Sequence, residues 1–328
     1  MNTKIGIIGA GRWGTALAIL LTKVGHHVKL FCLDEELSGL LESRQSRTLP
    51  SFSIPDVVEI SSRVDDCLDR DFIFLAVPGA NLKAAWDMWK VGIDKNAIVI
   101  NAVKTIDVEN RNLVLPSTII NRDGPHCVHF ACVSFPEGLL RGSPTIGTAF
   151  AVNGHAAKMV VQLFSGTLIR PYISLDIVGG QIGSAIKNTI AIACGIAEGL
   201  GFDATTKAAI ASRGLREMRE FALHHMGHEE TFGAGTTVLA DLIGTCFGIF
   251  SHNHRYGLAL ANMSPEDAQK SVLGTIEGIQ TTKVLSEVAE SFQEKMPISF
   301  AVWSIISGTI SPRKAIKQLM DRPVKLEG

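Results

Sequence analysis

A surplus of positive charge is missing from this chain of 328 residues: 31 Lys and Arg stand against 32 Asp and Glu, a formal net charge of −1 at pH 7. Binding to nucleic acid or to an anionic membrane surface rests on a basic excess, so neither is expected, and any phosphate must be captured by local donors. Long apolar runs are missing too. None reaches the roughly 18 residues of a membrane span, and the first residues carry no basic stretch ahead of an apolar core, so no span and no secretory signal is expected. There is no Cys-x-x-Cys pair. Cys32, Cys67, Cys127, Cys132, Cys194 and Cys246 lie scattered through apolar segments, the usage of reduced, buried thiols in a cytoplasmic protein. Internal repeats and low-complexity tails are absent. What remains, 46% hydrophobic and 19% charged residues, suits ordinary soluble cores in a chain long enough for two domains.

The most informative segment is Ile5-Gly6-Ile7-Ile8-Gly9-Ala10-Gly11-Arg12-Trp13-Gly14-Thr15-Ala16-Leu17-Ala18, an apolar strand, a glycine turn and a helix start. Gly9 permits the tight turn, Gly11 lets bare backbone approach a pyrophosphate, and Gly14 lets helix and strand pack closely. The anion then meets unsatisfied N–H groups at the positive end of a helix dipole. A second apolar run, Val28-Lys29-Leu30-Phe31, follows at βαβ distance, and Asp34 falls about 20 residues past the last glycine. A carboxylate there accepts from the ribose 2′-OH of NAD and repels the 2′-phosphate of NADP. Its neighbours Cys32, Leu33, Glu35 and Glu36 supply no cation, so NAD is favoured. Asp34 can equally serve as the N-cap of a helix over 35–43, or do both.

Strands are expected near Lys4–Ile8, His27–Phe31, Phe72–Val77, Ala97–Asn101, Cys127–Cys132 and Gly147–Ala151, alternating with helices: a Rossmann-like doubly wound parallel sheet. Trp86 and Trp89 pack the helix after the third strand. The carboxyl ends of such strands form the ligand crevice, which directs Pro78 and Lys104 to the cofactor side. From about Gly183 helical periodicity takes over, with helices expected at Gly183–Glu198, Thr205–His224, Pro265–Phe292 and Pro312–Met320. The glycines at 179, 180 and 183 mark the boundary, giving a dinucleotide domain over 1–180 and an all-helical substrate domain over 181–328, with the substrate expected in a cleft between them. Two lysines have apolar surroundings, Lys104 at a strand end and Lys187 within Ala185-Ile186-Lys187-Asn188-Thr189-Ile190-Ala191. Burial and a second ammonium lower a lysine's pKa and suit it to proton transfer; the alternative is a solvated Lys104 and a snorkelling Lys187. His224 and His228 share a helical face, but a solvated helix end explains them and no metal is expected.

The opening Gly9-Ala10-Gly11-Arg12-Trp13-Gly14-Thr15-Ala16-Leu17-Ala18 resembles the signature of NAD(P)-dependent glycerol-3-phosphate dehydrogenases. So do Ala76-Val77-Pro78, Gly183-Ser184-Ala185-Ile186-Lys187-Asn188, Ser212-Arg213-Gly214-Leu215-Arg216-Glu217-Met218, Asp241-Leu242, Thr245-Cys246 and Ile276-Glu277-Gly278-Ile279-Gln280-Thr281-Thr282-Lys283. The resemblance runs essentially the whole length. It implies an NAD-dependent enzyme that interconverts sn-glycerol 3-phosphate and dihydroxyacetone phosphate for glycerophospholipid synthesis, cytoplasmic and homodimeric. It further implies Lys187 as general acid/base with Lys104 and Asp241 beside it. The cofactor would be held by Gly9, Gly11, Arg12, Trp13, Gly14, Asp34, Pro78 and Glu277, and the small phosphorylated substrate by Asn188, Thr245, His252 and Asn253, with Arg255 as a candidate beside them. The chain also departs from the pattern. The family's Ser-Gly-Pro-Ser-Phe turn becomes Cys132-Val133-Ser134-Phe135-Pro136-Glu137, which implies a rebuilt loop; Lys104 is followed by Thr105 instead of glycine; Gly-Leu-Gly-Asp becomes Val238-Leu239-Ala240-Asp241. Most notably, the phosphate-binding Arg-Asn pair reads His252-Asn253. Neutral histidine offers one donor where arginine offers a charged fork, and Arg255, three residues on, shares the face if the segment is helical. These departures keep two alternatives open: a related dehydrogenase acting on another small hydroxy acid or polyol phosphate, and a non-catalytic dinucleotide-binding regulatory protein.

Overall fold

The computed structural model describes residues 3–121, 126–324 and 326. Two compact units divide the chain, one made of Met1–Lys104 with Leu115–Gln181, the other of Thr105–Val114 with Ile182–Gly328.

The first unit alternates strands and helices: β1 (Lys4–Ile8), α1 (Arg12–Lys23), β2 (His27–Phe31), α2 (Glu35–Glu42), β3 (Glu59–Ser61), β4 (Phe72–Leu75), α3 (Leu82–Trp89) and β5 (Ile98–Asn101). After a hairpin, β6 (Asp107–Glu109) and β7 (Asn112–Val114), the unit resumes with α4 (Pro116–Asn121), β8 (His126–Cys132), α5 (Pro136–Leu140), β9 (Thr145–Phe150), α6 (Gly154–Leu163) and β10 (Ile169–Ser174). Eight strands form one sheet in the order β10-β9-β8-β5-β4-β1-β2-β3. The order reverses on either side of β1, the topological switch at which such sheets bind ligands. Strands β1, β2, β4, β5 and β8 run parallel and read as nearly unbroken apolar runs, because helices cover both faces. Phe74, Phe130 and Phe164 stack in the core of this unit, and Trp86 and Trp89 are buried as expected, Trp89 edge-on to Phe31.

The expected purely parallel sheet needs one correction. Strand β9 lies antiparallel to β8, because the short connection through α5 returns on the edge where β8 ends and does not cross over. Four strands escaped the sequence pattern. β3 is three residues long, β10 is a half-exposed edge strand containing Pro171, and the β6–β7 hairpin turns at Asn110 and Arg111, both with positive φ.

The second unit contains α7 (Ile177–Gly199), α8 (Ala204–His224), α9 (Thr237–Phe247), α10 (His252–Leu260), α11 (Pro265–Ser271), α12 (Glu277–Val288), α13 (Pro297–Ile306) and α14 (Pro312–Met320). Side-chain N-caps start five of them: Asp203, Thr236, Ser251, Ser264 and Ser311. The expected helix over 265–292 is broken at Gly274, whose φ of +108° only glycine adopts without strain. Nor is the unit all-helical, since the β6–β7 hairpin packs on α12. Helix α7 is its buried axis. A Cβ on Gly195 would meet the His254 carbonyl at 2.0 Å, and one on Gly257 the Ile192 carbonyl at 2.1 Å, so α7 and α10 touch backbone to backbone. From α8, Glu217 reaches the start of α13 and accepts from Ile298 N (2.6 Å), Ser299 N (3.0 Å) and Ser299 Oγ (2.8 Å). Burial pushes this carboxyl up to about 7 even against those three donors. Among the described residues, no single helix is long and apolar enough to cross a membrane.

Candidate active site

In the sheet unit, the glycine turn is built as its spacing requires. Gly9, with φ +114°, leaves β1 and donates to the Phe31 carbonyl at 3.2 Å; a Cβ there would strike the Ala76 carbonyl at 2.6 Å. A Cβ on Gly14 would lie 1.9 Å from the Gly9 carbonyl, so this glycine seats α1 on the turn. Gly11 differs: a Cβ there would meet nothing within 4 Å, and its φ is an ordinary −71°. The fold does not need Gly11 to be glycine, whereas a ligand approaching the first N–H groups of α1 does. Gly11 is the N-cap and has no side chain to cap the helix, and the first turn, Arg12-Trp13-Gly14, contains no carboxylate. These features fit a dinucleotide's pyrophosphate.

Other expected cofactor residues share this strand edge but carry further bonds. Asp34, three residues past β2, caps α2 by accepting from Leu37 N at 3.0 Å. Burial pushes the thiol of Cys32, the first residue after β2, up. Trp13 packs against the core of the sheet unit. Pro78 follows β4, its carbonyl accepting from Asn81 N at 2.9 Å. Arg12 is bound to Glu137, Nη2 donating to Oε1 at 2.6 Å and to Oε2 at 2.7 Å. The segment expected to be rebuilt leaves β8 with Val133 N donating to the Ile146 carbonyl at 3.0 Å and enters α5 through an extended Phe135, with Pro136 at the helix's first position. Lys104 stands just beyond β5. The fully buried Asn101 fixes that turn, accepting from Val103 N (3.0 Å) and pairing with the equally buried His129 Nδ1 (3.0 Å).

The helical unit gathers the remaining candidates into two linked clusters. Lys187, 4% exposed on α7, pairs with Asp241 Oδ2 of α9 at 2.5 Å and donates to Thr245 Oγ1 at 3.0 Å. Thr245 in turn donates to the Asp241 carbonyl at 2.6 Å, one helical turn back. The carboxylate stabilises the ammonium form against the cost of burial, and two acceptors fix where Nζ lies. Next along α7, Asn188 donates to Glu277 Oε2 (3.3 Å) and accepts from Asn253 Nδ2 (3.0 Å), while Asn253 Oδ1 accepts from Gly278 N (2.9 Å). Asn253 and Glu277 thus join the Asn188 network through α10 and the start of α12.

The segment holding His252 and Arg255 is helical, so the two share a face of α10. They are not equivalent. The ring of His252 turns toward the 272–276 segment, with Nδ1 3.2 Å from the Thr275 carbonyl, and a Cβ on Gly274 would collide with its Cε1 at 2.5 Å. A carbonyl only accepts, so Nδ1 carries the proton, and a neutral ring then offers an acceptor at Nε2 where a phosphate needs a donor. Arg255 is exposed. Sequence reasoning missed Glu137, Gly278 and the Asn101–His129 pair. Only the last left a signal, two polar residues inside apolar strands.

Residues 4–153 match the family described as NAD-dependent glycerol-3-phosphate dehydrogenase N-terminus, and residues 176–317 the corresponding C-terminus. A protein of Fusobacterium nucleatum named glycerol-3-phosphate dehydrogenase (NAD(P)+) is 33% identical over 332 residues, covering 99% of this chain and 98% of that protein. A protein of the same name from Halalkalibacterium halodurans is 33% identical, covering 99% of this chain and 95% of that one. The crystal structure of glycerol-3-phosphate dehydrogenase from Coxiella burnetii superposes with a TM-score of 0.91 at 26% identity, covering 98% of this chain and 99% of its own. A ketopantoate reductase from Ralstonia eutropha, with a TM-score of 0.60 and 14% identity, shares the fold alone. In both of its parts the chain belongs to the NAD-dependent glycerol-3-phosphate dehydrogenase family of oxidoreductases.

Proposed function

We propose that this protein interconverts sn-glycerol 3-phosphate and dihydroxyacetone phosphate with NAD(H), supplying the backbone of glycerophospholipids in the cytoplasm as a homodimer. The observation that carries the chemistry is the buried Lys187–Asp241 pair, with the Thr245 hydroxyl accepting from Nζ and donating to the Asp241 backbone carbonyl. A lysine held as the ammonium can give a proton from Nζ to the oxygen of a carbonyl being reduced, and take it back in the reverse direction. Asp241 and Thr245 keep Nζ charged and aimed. NAD(H), when bound, supplies or accepts the hydride. Gly9, Gly11 and Gly14, with the backbone of Arg12 and Trp13, form its pyrophosphate seat, Asp34 its ribose contact, and Pro78 and Glu277 further contacts.

For the substrate, Asn188 and Asn253 form a frame whose amides are already committed to each other, to Glu277 and to Gly278. The cation for the phosphate is then Arg255 in preference to His252, and Lys104 is a second cation for the anionic substrate. The position of His252 also supports a second reading, a dehydrogenase of another small hydroxy acid or polyol phosphate, because an imidazole with Nδ1 on Thr275 has at most one ring nitrogen left and cannot replace an arginine fork. An NADH absorbance assay with dihydroxyacetone phosphate and a panel of other carbonyl acceptors separates the two. Highest kcat/KM with dihydroxyacetone phosphate is expected; highest kcat/KM with an unphosphorylated acceptor overturns the first reading. The same assay with NADPH tests the cofactor preference.

A further inference from the structure

Arg12 and Glu137 lie 125 residues apart in the chain and meet through three hydrogen bonds: Nε to Oε1 (3.1 Å), Nη2 to Oε1 (2.6 Å) and Nη2 to Oε2 (2.7 Å). Their side chains are 26% and 19% exposed, enough burial for the pair to be only partly screened. Arg12 is the first residue of α1. Glu137 is the second residue of α5, which packs against α1. The ion pair therefore brings a carboxylate to the amino end of α1, the helix end whose own first turn has none and whose N-cap glycine leaves open space.

The attractions that hold the carboxylate there, a guanidinium fork and a helix amino terminus, are those that hold a phosphate. A dinucleotide's pyrophosphate carries two negative charges, so it both needs Arg12 and repels Glu137. We infer that Glu137 is an internal competitor for the cofactor's pyrophosphate. It neutralises Arg12 in the free protein, shares it in the complex, and so limits how tightly the cofactor is held and sets how fast it leaves. This rests on the reading that the α1 end receives the dinucleotide. The rebuilt loop after β8 then has a purpose: it places an anion where a simple orienting role for Arg12 would require none.

The test is NADH affinity by fluorescence titration and NADH release by stopped flow, neither of which needs turnover. Glu137→Gln keeps the size and hydrogen-bonding capacity of the side chain and removes its charge. It is expected to tighten NADH about tenfold and to slow release by a similar factor. Glu137→Ala, which removes the side chain altogether, is expected to shift affinity in the same direction. If both variants, folded as judged by thermal unfolding, bind NADH as wild type does or more weakly, Glu137 is not a competitor and the inference fails. Because most of the effect runs through Arg12, Glu137→Gln in an Arg12→Gln background, where only the direct repulsion between the two anions is left to remove, should change affinity by no more than about twofold. A full tenfold gain in that background overturns the proposed route. Gly11→Val separates this inference from the reading beneath it. If that variant folds and binds NADH normally, the α1 end is not the pyrophosphate seat. If it loses NADH while Glu137→Gln changes nothing, the seat stands and the competitor role alone falls.

Discussion

The two units carry function in different currencies. In the sheet unit the candidate site consists largely of backbone at strand ends: the N–H groups opening α1, the turn at Gly9, and the segment after β5 that presents Lys104. In the helical unit it consists of side chains buried within helices, Lys187, Asn188, Asp241, Asn253 and Thr245, each satisfied by a partner from another helix. Backbone sites tolerate no added atoms but put no charge into the core. Buried side-chain sites place charge and amide groups where an unmatched one costs several kcal/mol, so the partners must all be present. The first kind fails by steric clash and the second by lost pairing.

The sharpest break in that comparison is Lys187→Ala. Loss of an ammonium that moves the reacting proton should lower kcat by about 10²–10⁴-fold, while NADH binding, read by fluorescence titration, stays near wild type. Leaving Asp241 buried without its partner should also lower Tm, and Asp241→Asn in the same chain should restore part of that loss without restoring kcat. Retention of substantial turnover in the folded single variant would remove Lys187 from its role.

Glu217 gives a pH signature of the helical unit. Its carboxyl, ordinarily at 4.5, titrates at about 7 in the fold, so the folded state binds its proton more tightly than the unfolded chain does. The associated stability is fully present below pH 4.5 and is lost as pH rises through 7; the gap corresponds to roughly 3 kcal/mol. Denaturant titrations between pH 4.5 and 8 should show Glu217→Gln losing less stability over that range than wild type. Parallel pH profiles for the two proteins would contradict this.

The sheet unit is tested by two glycines three residues apart. Gly14→Ala places a Cβ 1.9 Å from a backbone carbonyl and should cost about 2–3 kcal/mol or more by forcing α1 off the turn. Gly11→Ala, in open space, should change stability by about 1 kcal/mol or less while weakening NADH at least tenfold. Equal destabilisation by both would mean that the two glycines serve the fold alike.

For the substrate phosphate, Arg255→Ala should raise the KM for dihydroxyacetone phosphate by one to two decades, since a charge-assisted contact is worth about 1.5–3 kcal/mol. His252→Ala should change it by about threefold at most at pH 8, as expected of a ring whose donor is already on Thr275. The reverse ranking would return the phosphate to His252.

How much was legible in advance follows the same division. Gly9, Gly11 and Gly14 show in the sequence because a turn with positive φ and a close helix leave a fixed spacing that no other residue satisfies. The apolar strands β1, β2, β4, β5 and β8 show because strands covered on both faces are continuous hydrophobic runs. Edge and hairpin strands did not show, being short and half-polar, and the break at Gly274 was hidden by helix formers on both sides. In the helical unit, resemblance pointed to Lys187, Asn188 and Asp241, but no local pattern tells that Asn253 holds Asn188 or that Thr245 bridges Lys187 and Asp241.

By itself the sequence determined the dinucleotide turn, the parallel core of the sheet, the helical character of the second half and the family, because each is written in spacings of a few residues or in the order of motifs along the chain. Tertiary structure alone decided which charges meet. It bound Arg12 to Glu137 from 125 residues away, turned His252 onto Thr275, reversed β9 and assigned the β6–β7 hairpin to the helical unit. Periodicity is a property of neighbours along the chain, whereas an ion pair or a strand's direction depends on where the backbone returns in space.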